Sequence, residues 1–317
     1  MNIIVSGSIA YDRIMDFPGN FSDHLLPDKL HMLNVCFMIN ELKENFGGTA
    51  GNIAYALSLL GERPEIVSAA GHDFEPYGNW LRENGISTEF IKIIPGELTA
   101  GAYITTDLSE NQITAFNPGA MKHSSSYDFN ALDPQKTIAI VAPGNLDDMY
   151  NFIKIYKQRG IRYIFDPGQS LPAWNQHQLT EMIKGAMIFI SNDYELGLTM
   201  EKTRATAGDI SSMAEIVITT KAEKGSTVIS RQDGRLDTVD IPAVIPSTIS
   251  DPTGAGDAYR AGLIKGLMMP DMGIIHAAKM GAVSASFCVE VHGTQNYSFT
   301  RQAYNKRFEA EFSTAAY

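Results

Sequence analysis

Cysteine is nearly absent: Cys36 and Cys288 are the only two in 317 residues. Each sits in an apolar stretch, which excludes a disulfide framework or a cysteine metal centre and predicts two buried free thiols in a reducing compartment. Positive charge is also short, with 25 Lys and Arg against 36 Asp and Glu and a formal net charge of −11. A surface of that sign repels phosphate backbones, so no nucleic-acid polymer is expected as a partner, although a local site can still hold a small anion. No apolar run approaches the ~20 residues that cross a bilayer, so no membrane association is expected. The opening Met1-Asn-Ile-Ile-Val5 has neither the basic start nor the long apolar segment of a secretory signal, and a cytoplasmic location is the expectation. Internal repeats, low-complexity tracts, charged tails and Pro/Gly/Ser linkers are missing as well.

What is present suits a packed core: 44% of residues are hydrophobic and 19% charged. Short β-branched runs alternate with helical patterns, the signature of βαβ units and an α/β fold with a mainly parallel sheet flanked by helices. The expected buried strands are 3–5, 65–70, 137–142, 162–165, 186–190 and 215–219. The expected helices are 51–60, with Ile53, Ala54, Leu57 and Leu60 at helical spacing, then 146–158, 255–269 and 273–289. Residues 21–45 and 99–116 alternate instead, as where Ala102, Ile104 and Thr106 oppose Tyr103 and Thr105. They read as a small β lid, approximately 13–45 and 95–118, on a single unit spanning 1–317; the other reading is extra strands at the sheet edge.

The strongest motif is Asp251-Pro-Thr-Gly-Ala-Gly-Asp-Ala-Tyr-Arg-Ala-Gly262. Gly254 and Gly256 flank Ala255 just ahead of an apolar helical run, where the backbone can turn tightly and approach a ligand. The helix start adds free N–H groups and the positive end of its dipole, an arrangement suited to a transferring phosphoryl group. Asp257, in the first turn, is placed to take the proton of an attacking hydroxyl. A plain capping acid is the alternative for an isolated Gly-X-Gly, but the whole string favours chemistry.

Three weaker signals accompany it. Phe46-Gly-Gly-Thr-Ala-Gly-Asn52 enters a helix, and Asn52 offers both donor and acceptor groups to sugar hydroxyls, though Gly-Gly before a helix is often only a turn. The first strand runs into Ser6-Gly-Ser8-Ile-Ala-Tyr-Asp12, where Ser8 and Asp12 could hold vicinal hydroxyls or serve as turn residues. Ser191-Asn-Asp-Tyr-Glu195 follows an apolar strand. Asn192 and Glu195 share one face there, either as sparse oxygen ligands for magnesium or as a helix cap.

Together, Gly47-Gly48, Asn192-x-x-Glu195 and Asp251 to Asp257 resemble the ribokinase (PfkB) family in order and spacing, over essentially the whole chain. Within it the chain is most similar to the bacterial-type adenosine kinases. That likeness rests on Gly7-Ser-Ile-Ala10, Phe17-Pro-Gly19, Leu25-Leu-Pro27, Phe116-Asn-Pro-Gly-Ala-Met121, Gly256-Asp-Ala-Tyr-Arg-Ala-Gly262 and Gly293-Thr-Gln295. The resemblance implies a ribokinase-like kinase that phosphorylates the 5′-hydroxyl of adenosine from ATP, with Mg2+ and potentially K+ as cofactors. It casts Asp257 as base, and Gly254, Ala255 and Gly256 as anion hole. Ser8, Asp12, Gly48 and Asn52 then bind ribose, and Phe116 and Gln169 contact the nucleobase. Asn192, Thr219, Lys221, Gly225 and Ser226 fall on the ATP side, Asn192 and Glu195 on magnesium, and Asp251 at a monovalent-cation site. A homodimer through the lid is implied too.

The chain departs from those adenosine kinases where Ala102 stands for a Phe that stacks on adenine; adjacent Tyr103 replaces it only if the register shifts. Ser170 replaces a second Gln of the base-side turn, and Lys221 a common glycine. A kinase for another nucleoside or a free sugar such as ribose is therefore the alternative acceptor reading. A silent nucleoside-binding regulator is the non-enzyme alternative, against which an intact Asp257 argues.

Overall fold

In the computed structural model the described residues are 1–25, 31–32, 34–109, 111–232 and 235–316. They form two sheets. The larger has nine strands in the order β13-β12-β11-β10-β9-β8-β1-β4-β5. Its parallel strands are β1 (Asn2–Ser6), β4 (Glu65–Gly71), β5 (Ile91–Ile94), β8 (Thr137–Val141), β9 (Arg162–Phe165), β10 (Ile188–Asn192) and β11 (Ile216–Thr220). The hairpin β12 (Ser226–Gln232) and β13 (Arg235–Ile241) adds an antiparallel edge. This is the expected mainly parallel α/β sheet; β10 starts two residues later than its apolar run.

The inner parallel strands such as β1, β8 and β10 are buried on both faces, which is why they read as continuous apolar runs. Ile3 and Val5 of β1 face one core, with α1 (Thr49–Leu59), α7 (Ala255–Leu267) and α8 (Ile274–Cys288). Ile4 faces the other, with α3 (Leu146–Arg159) and α4 (Gln176–Ile183). The remaining helices are α2 (Glu75–Glu83), α5 (Asp193–Thr203), α6 (Ala207–Met213) and α9 (Arg301–Phe312).

Helices α7 and α8 pack with almost no side chain between them. A Cβ on Gly262 would lie 2.4 Å from the Met280 carbonyl oxygen, and one on Gly266 2.4 Å from the Ala277 Cα. The second sheet contains β2 (Ala10–Asp16), β3 (Glu41–Gly47), β6 (Ala100–Thr106) and β7 (Gln112–Asn117) in the order β3-β2-β6-β7. Strands β3, β6 and β7 fall largely in the two alternating stretches, whereas β2 lies ahead of the first; the four pair with one another, with β2 and β6 parallel. Residues 26–30 and 33 of the first stretch lie outside the described residues.

One thiol corrects the sequence reading. Cys288 is buried, but Cys36 is exposed. Its apolar neighbours Val35 and Met38 are exposed too, so that run belongs to the surface ahead of β3 rather than to a core.

Candidate active site

Strand order reverses at β1, whose neighbours are β4 on one side and β8 on the other. In such sheets the loops beyond adjacent carboxyl ends diverge and leave a crevice. Here the Ser8 N–H donates to the Pro143 carbonyl, 2.9 Å away, joining the loops after β1 and β8. Gly48 caps α1 with φ +87°, and a Cβ there would lie 2.6 Å from the Ser8 carbonyl oxygen, so the Gly-Gly entry is required by close backbone approach.

Asp257 is the third residue of α7, whose N-cap Gly254 sits in the left-handed region at φ +81°. Asn52 Nδ2 donates to Asp257 Oδ2 at 2.8 Å. Burial pushes the Asp257 carboxyl up to about 7; Arg260 and the Asn52 bond pull it down, while Asp166 and Asp12 push it up. A carboxylate poised near neutrality at a helix start can accept a hydroxyl proton.

Arg260, one turn along α7, is the cation that sequence reasoning left without a role. Its Nη1 donates to the Gly256 carbonyl at 2.9 Å and its Nη2 to Asp166 Oδ1 at 2.8 Å, with Nε in ion-pair contact with Asp166 Oδ2. Both side chains are buried. The pair ties the loop after β9 to the start of α7. The signal was present, since Arg260 follows Asp257 by three residues on one helix face and Asp166 precedes Pro167, but no spacing rule joins positions 94 residues apart.

The second sheet offers one row of side chains to this loop. Direct register partners point to the same face, and Asn45, Asp12, Ala102 and Phe116 are partners across β3, β2, β6 and β7. The Asp12 carboxylate lies over Gly47, whose added Cβ would meet Oδ2 at 2.4 Å. Burial raises its pKa to about 6, with Asp251 adding repulsion. Phe116 is 51% exposed, an aromatic face with room for a flat partner. Tyr103 points the other way, its hydroxyl accepting from Arg13 Nη1 at 3.2 Å, so it does not take the place of the Phe missing at Ala102.

Other expected residues have nearer tasks. The Ser8 hydroxyl accepts from the Thr49 N–H at 3.0 Å, capping α1. Asn192 and Glu195 form a capping box: Asn192 Oδ1 accepts from the Glu195 N–H at 2.7 Å, and Glu195 Oε2 from the Asn192 N–H at 2.8 Å. Burial raises the Glu195 pKa, with the Asn192 N–H opposing and Asp166 adding to it. Asp251 accepts from the Thr253 N–H at 2.9 Å and the Gly293 N–H at 3.1 Å. Burial works against its ionisation, but these donors hold it below the ordinary carboxylate range.

On the ATP side, Ser226 is buried with its hydroxyl 2.8 Å from that of Tyr259. Thr219 is buried, and Lys221 reaches the Thr227 hydroxyl and lies 3.8 Å from Asp240. Gly225 turns the chain between β11 and β12 at φ +81°. Gln169 is exposed on the turn after Asp166-Pro167. Among the described residues no group of three or more His, Cys, Asp or Glu could hold a metal by itself, and no helix is long and apolar enough to cross a membrane.

A crevice at the strand ends, a glycine-rich loop opening a helix and a second β sheet beside them define an α/β fold of the ribokinase type, and solved structures bear this out. A Burkholderia thailandensis nucleoside kinase in complex with inosine superposes with a TM-score of 0.83 at 35% identity, covering 99% of both chains. The Methanocaldococcus jannaschii nucleoside kinase, an archaeal member of the ribokinase family, gives 0.83 at 28% identity over 98% of this chain and 99% of that one. In sequence, a nucleoside kinase of Methanothermobacter thermautotrophicus is 31% identical over 98% of this chain and 96% of its own. The model of the pfkB family of carbohydrate kinases matches residues 28–301, and the chain belongs to that family.

Proposed function

We propose that the protein is a nucleoside kinase that transfers the γ-phosphoryl group of ATP to the 5′-hydroxyl of a purine nucleoside, with adenosine the first candidate. The observation that carries this is the row Asp12–Ala102–Phe116 on the face of the second sheet beside Asp257. A carboxylate accepts hydrogen bonds from two adjacent ribose hydroxyls, and an aromatic face one strand further on suits a base. A free pentose leaves Phe116 without a partner. Inosine in the Burkholderia enzyme supports a purine acceptor and makes inosine the main competitor.

In this reading Asp257 accepts the 5′-hydroxyl proton, while the N–H groups at the start of α7 face the charge that develops on the phosphoryl group. The second sheet acts as the lid. The donor set fits a sparsely held magnesium: Glu195 Oε2 is bonded to the Asn192 N–H, which leaves Oε1 for a water of the hydrated ion. Magnesium would neutralise the ATP phosphates. A monovalent cation beside Asp251 would order the same loop. Two copies pairing through the lid would cover the outer row Leu42–Met15–Thr105–Ile113, where Leu42 and Ile113 are exposed.

The test is ADP release with adenosine, inosine, other nucleosides, 2′-deoxyadenosine, ribose or no acceptor, with and without magnesium and potassium. Turnover should need a nucleoside and magnesium, be highest with adenosine and fall for the 2′-deoxy analogue. Turnover on ribose alone would make it a sugar kinase, and a thermal shift with nucleoside but no turnover a binding protein.

A further inference from the structure

Asn52 was expected to serve the sugar, but its amide is committed by the buried neighbours Thr294 and Gln295. The Trp80 indole N–H lies 3.1 Å from Gln295 Oε1. An indole N–H only donates, so it fixes which end of the Gln295 amide is oxygen. The NH2 end then donates to Asn52 Oδ1 at 3.0 Å and to the Tyr77 hydroxyl, which in turn donates to the Gly47 carbonyl at 2.8 Å. Asn52 Oδ1 meets a second donor, the Thr294 hydroxyl at 2.8 Å, which also lies 3.0 Å from the Phe46 carbonyl. With donors at its oxygen, the Asn52 amide can only turn its NH2 to Asp257.

We infer that Trp80, Gln295 and Thr294 are positioning residues: they form a directional hydrogen-bond relay that locks the Asn52 amide with its donor on Asp257. Gln295, Thr294 and Asn52 are 2%, 3% and 6% exposed, so water does not replace a lost member. The Trp80 ring is stacked on Phe46 and Tyr55, which holds the first donor in place. A donor on the carboxylate favours its ionised, proton-accepting form. The relay rests on the reading of Asp257 as the base.

The experiment is the pH profile of kcat/KM for adenosine in Trp80→Phe and Gln295→Met. Trp80→Phe keeps a stacked ring and removes only the N–H; Gln295→Met removes the donor to Asn52. Charged or titratable groups facing Asp257 are Arg260 on its own helix, Asp166 after β9, Asp12 on β2, Tyr77 on α2, Cys288 on α8 and Tyr297, and both variants leave them in place. Losing a hydrogen bond to the charged form raises the base's pKa, so the acidic limb should move up by about one pH unit in Gln295→Met. The shift in Trp80→Phe should be smaller and in the same direction. Rates should drop about tenfold on the acid side and return close to the native value in alkali.

A loss that is equal at every pH, or an unmoved limb in Trp80→Phe, overturns the relay. Asp257→Asn separates the two readings: if it is inactive while the limb of Trp80→Phe stays put, the relay alone is wrong. If it turns over normally, the base assignment fails and the relay with it. Should Gln295→Met fail to fold, Trp80→Phe decides.

Discussion

Asp257 pays for its place in the crevice. Its carboxyl is raised to about 7 because burial disfavours the charge. An unfolded chain ionises the same group near its ordinary value of 3.8. Below that value both states are protonated and the site costs nothing. As pH rises towards 7 the unfolded chain loses its proton first, so folding stability falls, and above 7 the penalty is complete. Asp257→Asn should therefore raise Tm by a few degrees at pH 8, with the gain vanishing towards pH 4. In the same variant kcat should fall by roughly 10²–10⁴-fold if Asp257 is the base that the proposed function makes it. Calorimetry and ADP release on one preparation check both. A Tm gain that is the same at pH 4 and pH 8 would detach the effect from ionisation. The place of Asp257 in the first turn of α7 was legible in the sequence because it sits in one contiguous string. Arg260, Asp166 and Gln295 were not assigned, because the Arg260–Asp166 pair and the Gln295–Asn52 bond join distant parts of the chain.

At the scale of elements, glycine sets how far apart α7 and α8 stand. Gly262→Ala would put a methyl 2.4 Å from the Met280 carbonyl oxygen, a contact that backbone must move to relieve. Overpacking of this kind costs about 1–3 kcal/mol, so the denaturant midpoint should drop without a change of slope. The displacement would be felt at the N-terminus of the same helix, so turnover should fall along with stability. A variant with native midpoint and native rate would show that the two helices separate freely. Strands β1, β4, β8 and β9 were readable because burial on both faces makes them unbroken apolar runs. Helix α5 was not, since Thr199 and Thr203 are its buried residues and no apolar period marks it, while β7 was legible only as part of an alternating stretch although its residues are all exposed. The Asn192–Glu195 spacing was read correctly as a shared face, and the structure shows the cap that such spacing also satisfies.

For the molecule as a whole, the proposed function puts the acceptor on the second sheet and the phosphoryl group on the nine-stranded body, at the start of α7. Binding of a nucleoside should draw the two together. Amide exchange in β2, β6 and β7 should slow on addition of adenosine, and Tm should rise by an amount set by its concentration relative to Kd. Protection confined to the body would remove Phe116 and Asp12 from the acceptor site. The manner of that approach follows from the chain path. Only residues 7–9 separate β1 from β2, Gly48 alone separates β3 from α1, and residues 95–99 separate β5 from β6. Three such short tethers make the sheet a crank on fixed pins, not a flap on a string. Movement of the sheet would press on Gly48 and so on α1, the helix whose Asn52 is hydrogen-bonded to Asp257, so in the proposed reading the arrival of the acceptor is a mechanical event at that carboxylate.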